Sequence, residues 1–238
     1  MAEIKRYIVL HRVNTGGAAG RPTDNREVPM ILSGINHLAF ITDDMEKTIR
    51  FYRDLLGMEL VAGIGHPDYR HYFFRCGNTQ VAFFEYPGAS PMVRKPHGAP
   101  TKLPLGFDHV SFTVAGRADL FALKDRLEAA GFEVSGAVDH GLIWSIYFYD
   151  PNEIPLEVSW DFLELVKVPA MDEVAPMAIV AEGAGPQPGV WPEVTEPTPP
   201  EAMTAHDGNG RTMRETFLRQ GLARESEEWK AMKAAAAE

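Results

Sequence analysis

Two histidines and two glutamates in this sequence are set at one repeated distance. His37 in "NHLAFIT" and His109 in "DHVSFTV" are 72 residues apart, and Glu85 in "VAFFEYP" and Glu157 in "IPLEVSW" are separated by the same 72. Strand alternation puts Leu38 and Phe40 on the side opposite His37, and groups His109 with Phe107, Ser111 and Thr113. Glu157 and Ser159 oppose Leu156, Val158 and Trp160, while Glu85 opposes Phe84 and Tyr86. An inward carboxylate without a counter-charge is costly, so glutamates facing the same interior as histidines point to a bound cation. Imidazole nitrogen and carboxylate oxygen suit Fe(II), Mn(II), Ni(II), Zn(II) or Co(II) better than Ca(II), which takes oxygen only. His37, Glu85, His109 and Glu157 are therefore the expected ligands of one divalent-metal site.

Those four residues need elements to hold them. The repeated distance marks two copies of one unit, each reading β-α-β-β-β. In the first, a strand over 35–42 leads to Asp43-x-x-Glu46, a helix-capping pattern. Met45, Ile49, Tyr52 and Leu56 then share one helical face, and Gly57 supplies the stop. Strands are expected near 58–64, 69–76 and 79–86, the last two joined by "CGNT". The second unit has a strand over 107–114, a helix over 117–130 and strands near 132–138, 143–149 and 155–160. Each strand has an apolar side for the helix and a more polar side, and in the second unit the polar sides carry His109, Tyr147 and Glu157. The fold class is α+β: two tandem modules curve around a polar cup, with an N-terminal strand and an extended C-terminal arm plus helix.

The expected organisation is an N-terminal strand and loop (1–32), a first module (33–88), a linker (89–106), a second module (107–161), a Pro/Gly-rich arm (162–210) and a helix (211–238). The arm is read as docking through Trp191, and the tail as a clamp on its own modules or on a partner subunit. The net charge of −10 argues against nucleic acid or an anionic membrane as partner. No apolar run is long enough for a membrane span. The lone cysteine, Cys76, excludes an internal disulfide and suits a cytoplasmic setting. Its surroundings show no paired base, so it reads as a structural thiol.

The segments "NHLAF", "DMEKTIRFYRDLLGMEL", "FDHVSF" and "DHGLIWSIYFYDPNEIPLEVSW" resemble the vicinal oxygen chelate superfamily over about residues 33–161. That superfamily includes glyoxalase I, methylmalonyl-CoA epimerase, bleomycin and fosfomycin resistance proteins and type I extradiol dioxygenases. The resemblance implies a pair of βαβββ modules whose eight strands hold a metal, a small-molecule substrate and, since related proteins often build each cup from two chains, a homodimer. The block "HYFFRCGNTQVAFFEYPG" with "DHG…SIYFYDPN" is most similar to the catechol-dioxygenase-related branch. There Fe(II) or Mn(II) would be held by His37, His109 and Glu157, leaving positions for a catecholate and O₂. Tyr147, ten residues before Glu157, matches a tyrosine of that family, and His140 resembles a histidine near it. The family's acid–base histidine has its matching position near Thr79, so His71 or His140 would stand in. If Glu85 is instead a fourth ligand, as in glyoxalase I and the epimerase, two open positions remain. The resemblance then implies a lyase or isomerase in which Glu157 or Glu85 moves a proton. The turn "DPNE" departs from the common "DPNG", with Glu153 in place of glycine.

Overall fold

In the first strand every second side chain is exposed and its neighbours are sheltered, so the segment has two unlike faces. β1 (His37–Thr42) exposes His37, Ala39 and Ile41 and turns Leu38, Phe40 and Thr42 inward. The structure, a computed structural model, describes residues 32–65, 68–102, 106–206, 208 and 210–235. The strand and loop expected before residue 32 lie outside the described residues.

The chain continues through a short helix α1 (Met45–Ile49), a π-helical turn (Arg50–Leu55), and strands β2 (Glu59–Gly65), β3 (Arg70–Cys76) and β4 (Thr79–Glu85). Asp44, one residue beyond the expected cap, accepts the Lys47 N–H at 2.9 Å. The π-helical winding turns both Phe51 and Tyr52 into the core, a pairing that plain helical spacing does not foresee. The second module follows with β5 (Val110–Thr113), α2 (Arg117–Ala129), β6 (Val138–Asp139), β7 (Ile143–Tyr149) and β8 (Pro155–Asp161). Gly57 and Gly131 follow the helices at φ +78° and +86°, where a side chain would be strained. β6 is only two residues long, because Ser135 bonds the Tyr147 backbone N–H through its hydroxyl where a ladder partner was expected.

Each module is a four-stranded mixed sheet, in the orders β1-β4-β3-β2 and β5-β8-β7-β6. The first pair in each sheet is parallel and the others antiparallel. The α+β class and the twin βαβββ plan are as expected. The eight strands form two separate sheets rather than one closed cup.

The helix-side faces of both sheets meet in one core that joins Phe51, Tyr52, Phe74 and Phe83 to Phe112, Leu127, Ile146 and Phe148. Phe51 lies 5.0 Å from Phe132 and 6.4 Å from Phe148, ring centre to ring centre. Each such ring removed from water stabilises the fold by roughly 1.5–3 kcal/mol. A buried polar seam runs along this join. Thr42 donates to Asn152 Oδ1 at 2.7 Å, and the Tyr52 hydroxyl donates to Asp150 at 3.1 Å. Burial drives both the Tyr52 hydroxyl and the Asp150 carboxyl above their usual pKa, so the seam favours neutral groups. Because the helix-side faces are spent on this shared core, the faces carrying His37 and His109 both look away from it.

Beyond β8 the chain is an extended arm. None of the described residues from 161 to 235 is buried. Trp191, expected to dock, is 82% exposed. The single expected C-terminal helix is two, α3 (Arg211–Arg219) and α4 (Glu227–Ala235), separated at Gly221 (φ +69°). The arm's described contacts with the modules include those at its start, where the Phe162 N–H bonds the Leu142 carbonyl at 3.1 Å and the Phe162 ring lies 5.7 Å from that of Trp160. Among the described residues no helix is long and apolar enough to cross a membrane.

Candidate metal centre

The second module gathers most of the polar chemistry. His109 precedes β5, and the register pairs Ser111 with Glu157 on β8 and Glu157 with Tyr147 on β7. These side chains share the outward face. His109 Nε2 stands 2.9 Å from Glu157 Oε2, and its Nδ1 is 2.7 Å from Asp108 Oδ1. That second contact fixes the ring so that Nε2 points at the carboxylate, the arrangement metal-binding histidines use. Burial by itself would raise the Glu157 carboxyl. The hydroxyls of Ser145, Tyr147 and Ser111, with the His109 ring, reverse this and hold it below the usual carboxylate range. The anion is therefore kept ready although Glu157 is buried.

Tyr147 donates to Glu157 Oε1 at 2.9 Å, and its oxygen lies 2.8 Å from His140 Nε2. The two residues expected from the sequence thus form one chain, His140–Tyr147–Glu157. Burial first, and the Glu157 carboxylate second, push the Tyr147 hydroxyl up to about 12, so it stays a neutral donor.

A further histidine arrives from the linker. The ring of His97 lies 4.7 Å from that of Tyr147, 5.0 Å from Tyr149 and 5.9 Å from His109. Both its ring nitrogens are buried and make no hydrogen bond to protein. Two unsatisfied polar atoms cost stability, and that cost needs an explanation. Burial, then the neighbouring His109, lowers its pKa, so the ring is neutral at neutral pH. Sequence reasoning missed His97 because it sits on no strand or helix and follows no period. The one available signal was its place between Pro96 and Gly98, twelve residues ahead of His109.

His37 occupies the matching position in the first module. Its Nδ1 is 2.8 Å from Asn36 Oδ1, as Asp108 serves His109, and Nε2 is left free on an exposed face. His71 is near it, stacked on Phe84 at 3.6 Å, with Nε2 buried and unpartnered. Burial, then His37, lowers the pKa of His71. This face is aromatic, carrying Phe73, Phe84 and Tyr86. His71 lies in the first sheet and not with the His109–Glu157 pair.

Glu85 departs from the expected set. The register pairs Thr42 with Glu85 and His37 with Gln80, so Glu85 lies on the side of the sheet opposite His37. The strand position equivalent to Glu157 is Ala82: Ala39 pairs with Ala82 as Ser111 pairs with Glu157. The 72-residue spacing of the glutamates is thus three residues out of register with the fold, and an odd shift reverses the face. Glu85 instead accepts the Met45 N–H at 2.9 Å and pairs with Arg70, capping α1. Glu85→Ala is expected to leave bound metal unchanged and to lower stability by about 0.5–2 kcal/mol, the worth of a lost helix cap. Metal analysis after dialysis and urea denaturation check the two halves of this expectation.

Among the described residues no three His, Cys, Asp or Glu side chains converge closely enough to hold a metal. One chain offers a two-donor half-site, His109 with Glu157, and a separate single donor, His37. Their nitrogen and oxygen donors fit a divalent transition ion, and each histidine is already oriented by its neighbour.

Two four-stranded mixed sheets, each built on a βαβββ module, define the class of the fold. Residues 34–158 match the model of the glyoxalase/bleomycin resistance protein/dioxygenase superfamily, and the chain belongs to that superfamily. It is 30% identical to glutathione transferase FosA of Serratia marcescens over 134 residues, covering 54% of this chain and 81% of that protein. It is 26% identical to the uncharacterized protein YwkD of Bacillus subtilis (strain 168), over 54% of this chain and 98% of that one. Among solved structures, lactoylglutathione lyase from Agrobacterium tumefaciens is similar at 27% identity and a TM-score of 0.42, covering 55% of this chain and 96% of that chain.

Proposed function

We propose that this protein is a divalent-metal enzyme that opens a catechol-like aromatic with O₂, working as a homodimer. His109 and Glu157 of one copy and His37 of the other would hold the ion, with Fe(II) or Mn(II) favoured. When bound, the metal supplies a positive centre that gathers two adjacent substrate oxygens and, with three protein donors, leaves positions for O₂. The carrying observation is His97: a neutral imidazole, buried and unpartnered, beside His109 and Tyr147. It is placed to take the proton of a substrate hydroxyl, the role expected of His71 or His140 from the sequence. His140 and Tyr147 form a separate relay that fixes Glu157 and keeps a neutral hydroxyl at the site. The aromatic face beside His37, with Phe73 and Phe84, suits a flat ring.

What supports the dimer is that His37 and the half-site lie on two separate sheets within one chain. The arm, with no buried residue of its own, is the natural element to cover the second copy.

A transferase or lyase reading is favoured by one observation, the 30% identity to glutathione transferase FosA. Its ligand argument is weaker, since Glu85 is turned away from the outward face. Anaerobic loading with Fe(II), followed by a panel of substituted catechols and air, separates the two. Oxygen uptake with a ring-opened product is the expected result. No uptake across a broad panel by protein that retains its iron would overturn the dioxygenase reading.

A further inference from the structure

Glu153 is, among the described residues, the one non-glycine residue with a positive φ, at +61°. It stands in the turn after β7, where glycine would be at ease and a glutamate is strained. The turn itself does not need the side chain. Asp150 accepts the backbone N–H groups of Asn152 and Ile154 at 2.8 Å each, and its carbonyl accepts that of Glu153 at 3.0 Å. Something outside the turn must account for the strain.

The Glu153 carboxylate grips the Arg94 guanidinium through both oxygens, at Nε and at Nη2 (3.3 Å). Arg94 also reaches Glu133 at 3.1 Å and lies 4.5 Å over the Tyr149 ring. From there the linker crosses the outward face of the second sheet. The Tyr149 hydroxyl donates to the Lys95 carbonyl, and Lys95 pairs with Asp108. The Gly98 N–H bonds Asp108 Oδ1 at 3.1 Å. His97 lies between these anchors, and Asp108 is the residue that also orients His109. The linker is thus fixed at its far end by Asp108 and at its near end by Glu153, aided by the Met92 N–H to the Asn152 carbonyl at 3.0 Å.

We infer that Glu153 is a positioning residue: through Arg94 it holds the linker so that His97 stays over the His109–Glu157 pair. An exposed ion pair of this kind contributes little to stability. Its effect is on where the imidazole sits, and a misplacement of about 1 Å is enough to slow a reaction strongly. The catalytic half of the inference rests on the proposed role of His97, whereas the positional half does not.

The test uses the whole chain with ¹⁵N-labelled histidine, and Glu153→Gly and Arg94→Gln as variants. For Glu153→Gly the thermal midpoint is expected to hold or rise by about 2–4 °C as the strained φ is relieved. The His97 ring cross-peaks should shift and broaden, and Arg94→Gln should move the same peaks. With iron loaded, kcat should fall about tenfold at nearly constant KM. His97 cross-peaks that superimpose on the wild type in both variants would overturn the inference. So would a midpoint lower by more than about 5 °C in Glu153→Gly, which would assign Glu153 to the stability of the turn. Moved cross-peaks with unchanged turnover would support the positioning role and remove His97 from the chemistry, so that failure belongs to the functional reading alone.

Discussion

His37→Ala and Glu157→Ala, each inactive alone, are expected to recover about a quarter of wild-type metal and activity when co-expressed and allowed to pair at random. The half-site of one copy contains His109 and Glu157, 2.9 Å apart, and lacks a third donor among the described residues. His37 has a free Nε2 on a face directed away from the shared core. In a dimer that brings the two faces together, each site takes His37 from one chain and Glu157 from the other. Either homodimer then lacks a ligand at both sites. A mixed dimer has one site missing both ligands and one that is complete. Equal random pairing makes about half the dimers mixed, each with one working site of two. Loss of a direct ligand should weaken metal binding at least as much as loss of an outer hydrogen-bond partner, about 10–100-fold. Differently tagged chains, purified in tandem, give the mixed dimer directly, and metal content and turnover are then measured. No recovery in that mixed dimer would show that the site is not shared between copies. Full metal in His37→Ala by itself would remove His37 from the ligand set.

The parts of this arrangement that sequence could reach were those carried by a period. Alternation along β1, β7 and β8 sorts His37, Tyr147 and Glu157 onto the strand sides opposite the apolar, helix-facing ones, and the register agrees for each, although those sides look outward and line no closed cup. The internal repeat foretold two βαβββ units and located α2 to within a residue. Glu85 was misplaced because repeat spacing counts residues and not strand pairs. A three-residue offset in β4 keeps the echo in the letters and reverses the face. His97 was invisible for the opposite reason. A linker has no period, and its path across the second sheet is set by contacts far apart in sequence, Arg94 with Glu153 and Gly98 with Asp108. The oddity of "DPNE" was visible from the start, but its partner on the linker was not.

His97→Gln is expected to lower kcat by about 10²–10⁴-fold, the usual contribution of a positioned acid–base group, while bound metal stays at the wild-type level. The ring touches the site without completing it. His109 and Glu157 are oriented by Asp108 and Tyr147, and none of those contacts involves His97. The same environment predicts the effect on stability. Both nitrogens of His97 are buried without a protein partner, so an apolar residue of similar size removes an uncompensated desolvation cost. His97→Leu should therefore melt at or above the wild-type temperature while losing the same activity. An active site that is improved in stability by deleting one of its side chains is retaining that side chain for its chemistry. Tyr147→Phe provides the contrast. It removes a hydroxyl that donates to Glu157, so it should weaken metal binding as well as turnover. Substantial turnover in metal-loaded His97→Gln would move the acid–base role to another residue, with His140 next in reach through Tyr147. Loss of metal together with activity would instead make His97 a ligand, and the open positions on the ion would have to be counted again.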